Sequence, residues 1–217
     1  MKKKVLLMQM AAVIIIIFCS CNGADKKTVA AKTTTLEPVR TNPEKKLSPG
    51  QPEQPAIINI VDTVSPKRIV LYIKDSAKTF ERISLKLGQI YGIKLAEVLK
   101  KNGLKRTGAN MAWYKTNKPP YFFEAGIPVD KKPAIFGKTI FVREMPADSV
   151  TMAHFYGPYN LLSQGYDAIK DRMKEEKRTA SAMPYEIYTG DPIDANGKPV
   201  NPYKVRTEIV FPVKEKN

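Results

Sequence analysis

The chain has very little cysteine, histidine or tryptophan, and these scarcities exclude several kinds of site. Its two cysteines, Cys19 and Cys21, lie near the start, so the rest of the chain has neither disulfide nor thiol chemistry. His154 is the single histidine, and one histidine without a cysteine does not make a zinc site. Nothing resembles a Ser-His-Asp set, a phosphate-binding loop or a nucleotide fingerprint. We therefore expect no metal and no cofactor.

A hydrophobic run of membrane-spanning length is also missing. The chain begins Met-Lys-Lys-Lys, and the apolar stretch at residues 5–18 is shorter than the roughly 20 residues of a spanning helix. A basic start followed by a short apolar stretch and small residues is typical of a secretory signal. Cys21 follows Ser20, which resembles a bacterial lipoprotein box, although Phe18 stands where leucine is usual. We expect residues 1–20 to be a lipoprotein signal peptide and Cys21 to be lipidated. An ordinary signal peptide with incidental cysteines is the alternative.

Acidic residues are outnumbered, with 21 Asp and Glu against 36 Lys and Arg and a formal charge of +15. Such an excess can indicate a nucleic-acid partner, but these basic residues are scattered and an exported protein rarely meets nucleic acid. A basic surface near anionic lipid or cell-surface polymer explains the charge equally well. We therefore expect no nucleic-acid partner. The predicted location is the bacterial cell envelope, as an exported lipoprotein held to the membrane by its lipid anchor.

Composition divides the rest of the chain into two parts. Residues 21–65 are rich in Pro, Thr and Lys and poor in large apolar side chains, which predicts a disordered linker. Within it, residues 57–61 form a short apolar island that could pair with the edge of a domain. Residues 66–217 have globular composition and a length suited to one domain.

The hydrophobic spacing in residues 66–217 predicts two helices and a series of strands. Helical spacing covers residues 80–102, with Gly103 as a C-terminal cap, and residues 159–177. Strands are predicted at 68–73, 109–115, 121–129, 139–144, 149–156, 184–189 and 203–213. Read coarsely, the order strand-helix-strand-strand occurs twice. The spacing from Glu124 to Pro128 also recurs from Glu208 to Pro212. We expect an α+β fold with a curved antiparallel sheet, two helices on one side and a central cleft.

Residues 69–213 contain the segments F-E-A-G-I-P-V, Met145-Pro146, H-F-Y-G-P-Y, P-Y-E-I-Y-T-G-D-P and T-E-I-V-F-P-V. Together these segments resemble the GyrI-like family of effector-binding domains, which are also fused to transcription regulators. The resemblance implies two pseudo-symmetric units around a cleft that binds amphipathic or cationic small molecules through aromatic side chains and a buried glutamate. Some stand-alone members resemble hydrolases of reactive electrophilic compounds. We expect no DNA-binding half in this chain, which would distinguish it from the regulators.

Glu208 stands where the resemblance places the ligand-facing glutamate. Strand alternation puts Glu208 on one face and Ile209 and Phe211 on the other, which assigns the apolar pair to the helix-packed core and Glu208 to the cleft. A surface Glu208 paired with Arg206 is the alternative. Glu124 is the expected pseudo-symmetric mate of Glu208, either in the cleft or as a structural strand residue.

Aromatic residues complete the predicted ligand site. Tyr185 and Tyr188 point to opposite faces of one strand, so only one faces the cleft, and we assign Tyr188 to it together with Glu186. Trp113 is the equivalent residue in the first unit, although core packing would also explain it. Tyr156 lies at a strand end near the expected mouth of the cleft. A tyrosine there can stack on a flat ligand or donate a hydrogen bond.

Three functions are compatible with this pattern. The first is reversible binding of a small amphipathic or cationic molecule by the lipid-anchored domain. The second is hydrolysis of a reactive electrophile, with Glu208 activating water and Tyr188 or Tyr156 assisting. The third is an envelope interaction scaffold without a small ligand. We favour binding.

Overall fold

A computed structural model describes residues 54–134 and 136–215 of the chain. The predicted signal peptide, Cys21 and most of the predicted linker lie outside these residues. The strands of the described part are β1 (Ile57–Ser65), β2 (Arg68–Ala77), β3 (Asn110–Tyr114), β4 (Tyr121–Val129), β5 (Ile140–Met145), β6 (Asp148–Tyr156), β7 (Arg178–Ala180), β8 (Tyr185–Tyr188) and β9 (Arg206–Glu215). Its helices are α1 (Phe80–Gln89), α2 (Leu95–Asn102) and α3 (Leu162–Glu175).

The first helical segment is continuous from α1 to α2 through one π-helical turn at Ile90–Lys94. It begins at Thr79, whose hydroxyl accepts a hydrogen bond from the Arg82 N–H at 3.4 Å. It ends at Gly103, which adopts the left-handed conformation at φ 59°. The predicted helix at 80–102 is therefore present with its predicted cap. The π turn inside it left no signal in the hydrophobic spacing.

The sheet consists of two similar halves. Eight strands follow the order β5-β2-β4-β3-β8-β9-β6-β1 with every pairing antiparallel, and β7 pairs with the end of β9. One half is β2, α1–α2, β3 and β4, and the other is β6, α3, β8 and β9. The halves join where β3 pairs with β8, and there Ala112 lies opposite Glu186. The predicted α+β fold, with two strand-helix-strand-strand units, is confirmed.

Two short connections force the sheet to curve. β1 and β2 lie six strand spacings apart, about 29 Å across a flat sheet. Only Pro66 and Lys67 separate them in sequence, which allows a reach of about 11 Å. Strands β5 and β6 are equally far apart in the strand order, and the link between them also has only two residues. The sheet must therefore curl until its two ends approach each other.

The curled sheet has a helix-covered face and a concave face, and each has its own core. On the helix-covered face, α1 and α2 pack on one half of the sheet and α3 packs on the other. On the concave face, Val70 from one end of the sheet and Val150 from the other join a single cluster with Trp113 and Tyr185. Contact between strands so far apart in the strand order fits a sheet that curls on itself.

Strand β1 lies ahead of the predicted domain boundary. Composition assigned residues 57–65 to the linker, but β1 pairs along its whole length with β6. Exposed Ile57, Asn59 and Val61 alternate with Ile58 and Ile60, which pack under α3, and the exposed polar residues Asp62 and Thr63 follow. The strand is an edge strand with one buried side, so its mean composition resembles that of a linker. In the described residues no helix is both long enough and apolar enough to cross a membrane.

We expect Gly126→Ala in β4 to lower the free energy of unfolding by roughly 1–3 kcal/mol. An added methyl group would lie 2.7 Å from Val70 Cγ1 and 2.8 Å from the Leu71 carbonyl oxygen. Backbone at that distance cannot move without disturbing the β2–β4 pairing. Urea denaturation of the full chain, followed by circular dichroism, measures the change.

The matched control is Gly88→Ala in α1, where an added methyl group meets nothing within 4 Å. It should stabilise the chain by up to about 1 kcal/mol, because alanine favours a helix over glycine. Equal stability of Gly126→Ala and the wild type would show that β2 and β4 are not packed as closely as described.

Candidate functional site

The helix-covered face carries one buried carboxylate near its centre, on β8. Glu186 is 3% exposed and lies opposite Ala112 of β3, whose methyl group offers it no polar partner. Alternation along β8 places Glu186 and Tyr188 on this face and Ile187 on the concave face. The sequence prediction that Glu186 and Tyr188 share a face agrees with this arrangement.

Five tyrosines, called here the tyrosine cluster, surround Glu186 from different elements. Tyr188 is on β8, Tyr114 on β3, Tyr91 in the π-helical turn, Tyr159 in the 3₁₀ turn before α3, and Tyr166 on α3. Gly165 lets α3 approach the sheet closely, since an added methyl group there would lie 2.5 Å from Ile209 Cδ1.

A chain of hydrogen bonds connects the carboxylate to three of these tyrosines. The Tyr166 hydroxyl donates to Oε1 of Glu186 and the Tyr188 hydroxyl donates to Oε2, both at 2.8 Å. The Tyr114 and Tyr188 hydroxyl oxygens lie 2.9 Å apart. Because Tyr188 uses its single proton on Glu186, Tyr114 is the donor of that bond. Both carboxylate oxygens thus accept a hydrogen bond, an arrangement suited to the ionised form.

Burial raises the pKa of the Glu186 carboxyl to about 7, although the hydrogen bonds from Tyr188 and Tyr166 act in the opposite direction. Among the described residues no lysine, arginine or histidine forms an ion pair with it. The side chain therefore changes charge near neutral pH. A carboxylate with this property can serve as a counter-charge for a cation or as a general base.

The surrounding phenols remain protonated over the accessible pH range. Burial is the first cause of the raised pKa values of Tyr91, Tyr114, Tyr166 and Tyr188, and the Glu186 charge adds to it. Tyr159 differs in being 52% exposed, and its ring meets that of Tyr188 edge-on at 6.5 Å between centroids. Tyr159 therefore lies at the solvent side of the cluster.

Glu208 lies on the concave face, in an ion pair. Its Oε1 is 3.2 Å from Nη2 of Arg206 and 3.7 Å from Nδ1 of His154, and the side chain is 13% exposed. Strand alternation was predicted correctly, since Ile209 and Phe211 pack on the helix side. The pairing of Glu208 with Arg206 is the alternative that the sequence left open.

Glu124 and Trp113 also lie on the concave face, where they surround an arginine. Glu124 is 2% exposed and contacts Lys115 at 2.7 Å and Arg143 at 2.5 Å. Burial raises the pKa of Glu124, but the hydrogen bonds and charges of these two cations outweigh it, so the pKa is lowered overall. The Arg143 guanidinium lies between the rings of Trp113 and Tyr72, at 4.7 and 4.6 Å from their centroids.

The strand register separates the predicted site residues into two groups. Glu208 lies opposite Ile187 across the β8–β9 pairing, whereas Tyr188 lies opposite Thr207. Glu208 and Tyr188 therefore cannot line one cleft, although the sequence pattern predicted that they would. Tyr156 lies opposite Arg206 on the side of Glu208. The structure brings together Glu186 and Tyr188, and it keeps Glu208, Glu124, Trp113 and Tyr156 on the other face.

Sequence reasoning did not assign Tyr91, Tyr159 and Tyr166 to the site. Tyr166 packs on the core beside Ile169, but its hydroxyl reaches past the core to Glu186. The available signal was the pair Glu186 and Tyr188 on one strand face, because a carboxylate facing a helix layer needs donors from that layer. The described residues contain no group of three His, Cys, Asp or Glu side chains arranged to hold a metal.

Similarity to known proteins is found at the level of structure. No protein-family model matches the chain, and no curated protein matches it. The EcmrR C-terminal domain superposes with a TM-score of 0.57 at 23% identity, covering 73% of this chain and 99% of that one. EcmrR in its complex with DNA gives a TM-score of 0.60 at 22% identity, and the match spans 58% of that longer chain. SAV2435 bound to tetraphenylphosphonium is more distant, with a TM-score of 0.46 at 14% identity over 72% of this chain and 94% of that one. The EcmrR likeness supports the α+β fold.

We expect Glu186→Gln to weaken the pH dependence of stability. Between pH 4.5 and 7 the folded chain keeps a proton on Glu186 that the unfolded chain releases, so the free energy of unfolding falls as pH rises. At 1.36 kcal/mol per pKa unit this contribution is about 2–3 kcal/mol between pH 5 and 8. The variant should lack it. Urea denaturation at both pH values measures the difference.

The control for this prediction is Glu97→Gln, which changes an exposed glutamate of α2. It should retain the wild-type pH dependence. If Glu186→Gln also retained it, the carboxyl would not carry a raised pKa in the folded chain.

Proposed function

We propose that this chain binds a small amphipathic cation between the α1–α2 segment and α3, over the helix-covered face of the sheet, with Glu186 as the counter-charge and the tyrosine cluster as the wall. The observation that carries the proposal is a carboxylate that is 3% exposed, has a pKa of about 7 and is contacted by phenols rather than cations. The similarity of the fold to small-molecule-binding domains of the GyrI-like type supports the same class of function.

Desolvation of the Glu186 carboxylate favours a cationic ligand. An ionised carboxylate loses its hydration on burial, and phenolic hydroxyls restore only part of that free energy. A cation with an apolar body would neutralise Glu186, bury its own surface and place its charge against electron-rich rings. The Tyr166 and Tyr188 hydroxyls now occupy both carboxylate oxygens, so binding requires them to turn away. Half-exposed Tyr159 lies where the ligand would enter.

Hydrolysis of an electrophile at the same place is the second candidate. A general base works best with a pKa near the operating pH, and Glu186 has one. The sequence pattern predicts Glu208 for this role, with Tyr188 or Tyr156 assisting. Glu208 is instead ion-paired with Arg206 on the other face, so we assign the base to Glu186, with Tyr188 and Tyr166 as donors.

We also propose that Cys21 anchors the domain to a membrane of the bacterial cell envelope. This proposal rests on the sequence of residues 1–21, which lie outside the described part. It would place the tyrosine cluster outside the cytoplasm, where an envelope protein meets small molecules as they enter or leave the cell.

Tetraphenylphosphonium is a suitable probe because it is a cation enclosed in aromatic rings. We expect isothermal titration at pH 8 to show binding by the wild type and a Kd raised roughly 10- to 100-fold in Glu186→Gln, which loses a buried charge pair. Glu208→Gln is the matched control and should bind within about twofold of the wild type. Equal losses in both variants, or no loss in Glu186→Gln, would refute the assignment of Glu186.

The pH dependence of binding gives an independent check. The cation requires the ionised carboxylate, so below pH 7 a proton competes with it and the Kd should rise up to about tenfold per pH unit. Glu186→Gln should show no such dependence. Chromatography of the recovered probe, and of a reactive epoxide incubated in parallel, separates binding from hydrolysis. Epoxide turnover that is lost in Glu186→Gln would favour the enzyme.

Lipidation is tested by expressing the full chain in a bacterium supplied with a radiolabelled fatty acid. We expect label in the wild type and none in Cys21→Ser, while Cys19→Ser keeps its label. Label retained in Cys21→Ser would contradict the anchor.

A further inference from the structure

The concave face contains a cavity that is separate from the tyrosine cluster. It has a volume of about 230 Å³ and lies at the end of the sheet where β1 turns into β2. Its apolar lining comes from Ala109, Met111, Pro128 and Ile187. Met111 and Ile187 pair across the β3–β8 junction, so this cavity and Glu186 use opposite faces of the same two strands. The volume is enough for a ring-sized molecule.

The charged side chains of this cavity are all positive. Lys67 and Arg68 line it, and no aspartate or glutamate does. Nη1 of Arg68 is buried and has no hydrogen-bond acceptor among the described residues. A guanidinium N–H removed from water without an acceptor costs free energy, because five donors in a fixed geometry need oxygens to replace the lost hydration. The cavity therefore presents a cation that lacks an anion.

A second buried polar group, the Tyr185 hydroxyl, lies beside Arg68. No described group meets it in full hydrogen-bond geometry, and the side chains of Ser65 and Arg68 are the hydrogen-bonding groups next to it. Burial raises the pKa of Tyr185, and the nearby Arg68 charge lowers it in part, which places the two groups close together. The nearby Asp148 carboxylate has the opposite effect and raises the pKa of Tyr185. It accepts a hydrogen bond from Ser181 at 3.4 Å and forms no ion pair with Arg68 in the described residues.

We propose that this cavity binds a small monocarboxylate with an apolar body. The carboxylate would accept hydrogen bonds from Arg68, supported by the charge of Lys67, and the body would rest on Met111, Pro128 and Ile187. An arginine pairs with a carboxylate through two parallel N–H bonds, so a carboxylate would supply the anion that the cavity lining lacks. Inorganic phosphate would satisfy the charge but would leave the apolar lining uncovered. This site is independent of the cation proposed at Glu186.

Benzoate is the probe, with benzamide as its uncharged match and inorganic phosphate as an anion without an apolar body. The full chain, labelled at methionine and isoleucine methyl groups, is titrated with each and followed by NMR. We expect benzoate to shift the Met111 and Ile187 methyl signals, and benzamide and phosphate to bind at least about tenfold more weakly. If roughly 10 mM benzoate shifts neither methyl signal, the proposal is refuted. The binding free energy would then be weaker than about 3 kcal/mol. Equal binding of benzamide or phosphate also refutes the proposal.

Two variants test the residues. Arg68→Gln should raise the benzoate Kd about tenfold or more, whereas Arg82→Gln, an exposed arginine of α1, should leave it unchanged. Ala109→Leu keeps every charge and fills the cavity, so it decides the matter if Arg68→Gln does not fold. Wild-type affinity in Arg68→Gln or in Ala109→Leu would overturn the site. Glu186→Gln should bind benzoate normally even if the cation proposal fails.

Discussion

The pairing of β3 with β8 is the constraint on which the arrangement of the two faces depends. Three residue pairs join the halves, from Asn110 opposite Tyr188 to Ala112 opposite Glu186. A strand shifted by one residue turns every side chain to the other face. Such a shift would bury Glu186 among the apolar residues of the concave core and place Ile187 among the tyrosines. The apolar contacts of Ile187 and Met111 therefore hold the carboxylate in place.

The duplicated fold carries two deeply buried carboxylates with opposite electrostatic surroundings. The Glu124 carboxylate oxygens contact Arg143 and Lys115. These two cations outweigh the effect of burial on the pKa of Glu124, so that pKa is lowered. Glu186 has only phenolic donors, so burial dominates and its pKa is raised. Breaking a buried ion pair leaves an uncompensated charge, so Glu124 is best understood as part of the packing. Among the described residues no cation pairs with Glu186.

Sequence patterns predicted the elements well and their pairing poorly. Local signals are enough for the helix that ends at Gly103 and for the alternation of Glu208 with Ile209, because both depend on neighbouring residues. Which residue lies opposite Tyr188 depends on the register between β8 and β9, and that is decided by packing across the sheet. The emphasis on Glu208 over Glu186 follows from this, because without that register the sequence could not show that Glu186 and Tyr188 face the helices while Glu208 faces away from them.

The sheet itself explains why unpaired charges can persist on both of its faces. Arg68 lines the concave cavity and Glu186 lies under the helices, so the backbone layer of β3 and β8 separates them. Side chains on opposite faces of a sheet point away from each other, and neither can rotate through the hydrogen-bonded strands. Internal neutralisation, which Glu124 achieves with Arg143 on a single face, is thus unavailable to this pair. In the two proposed sites, a bound molecule on each face of the sheet would therefore satisfy each of these charges.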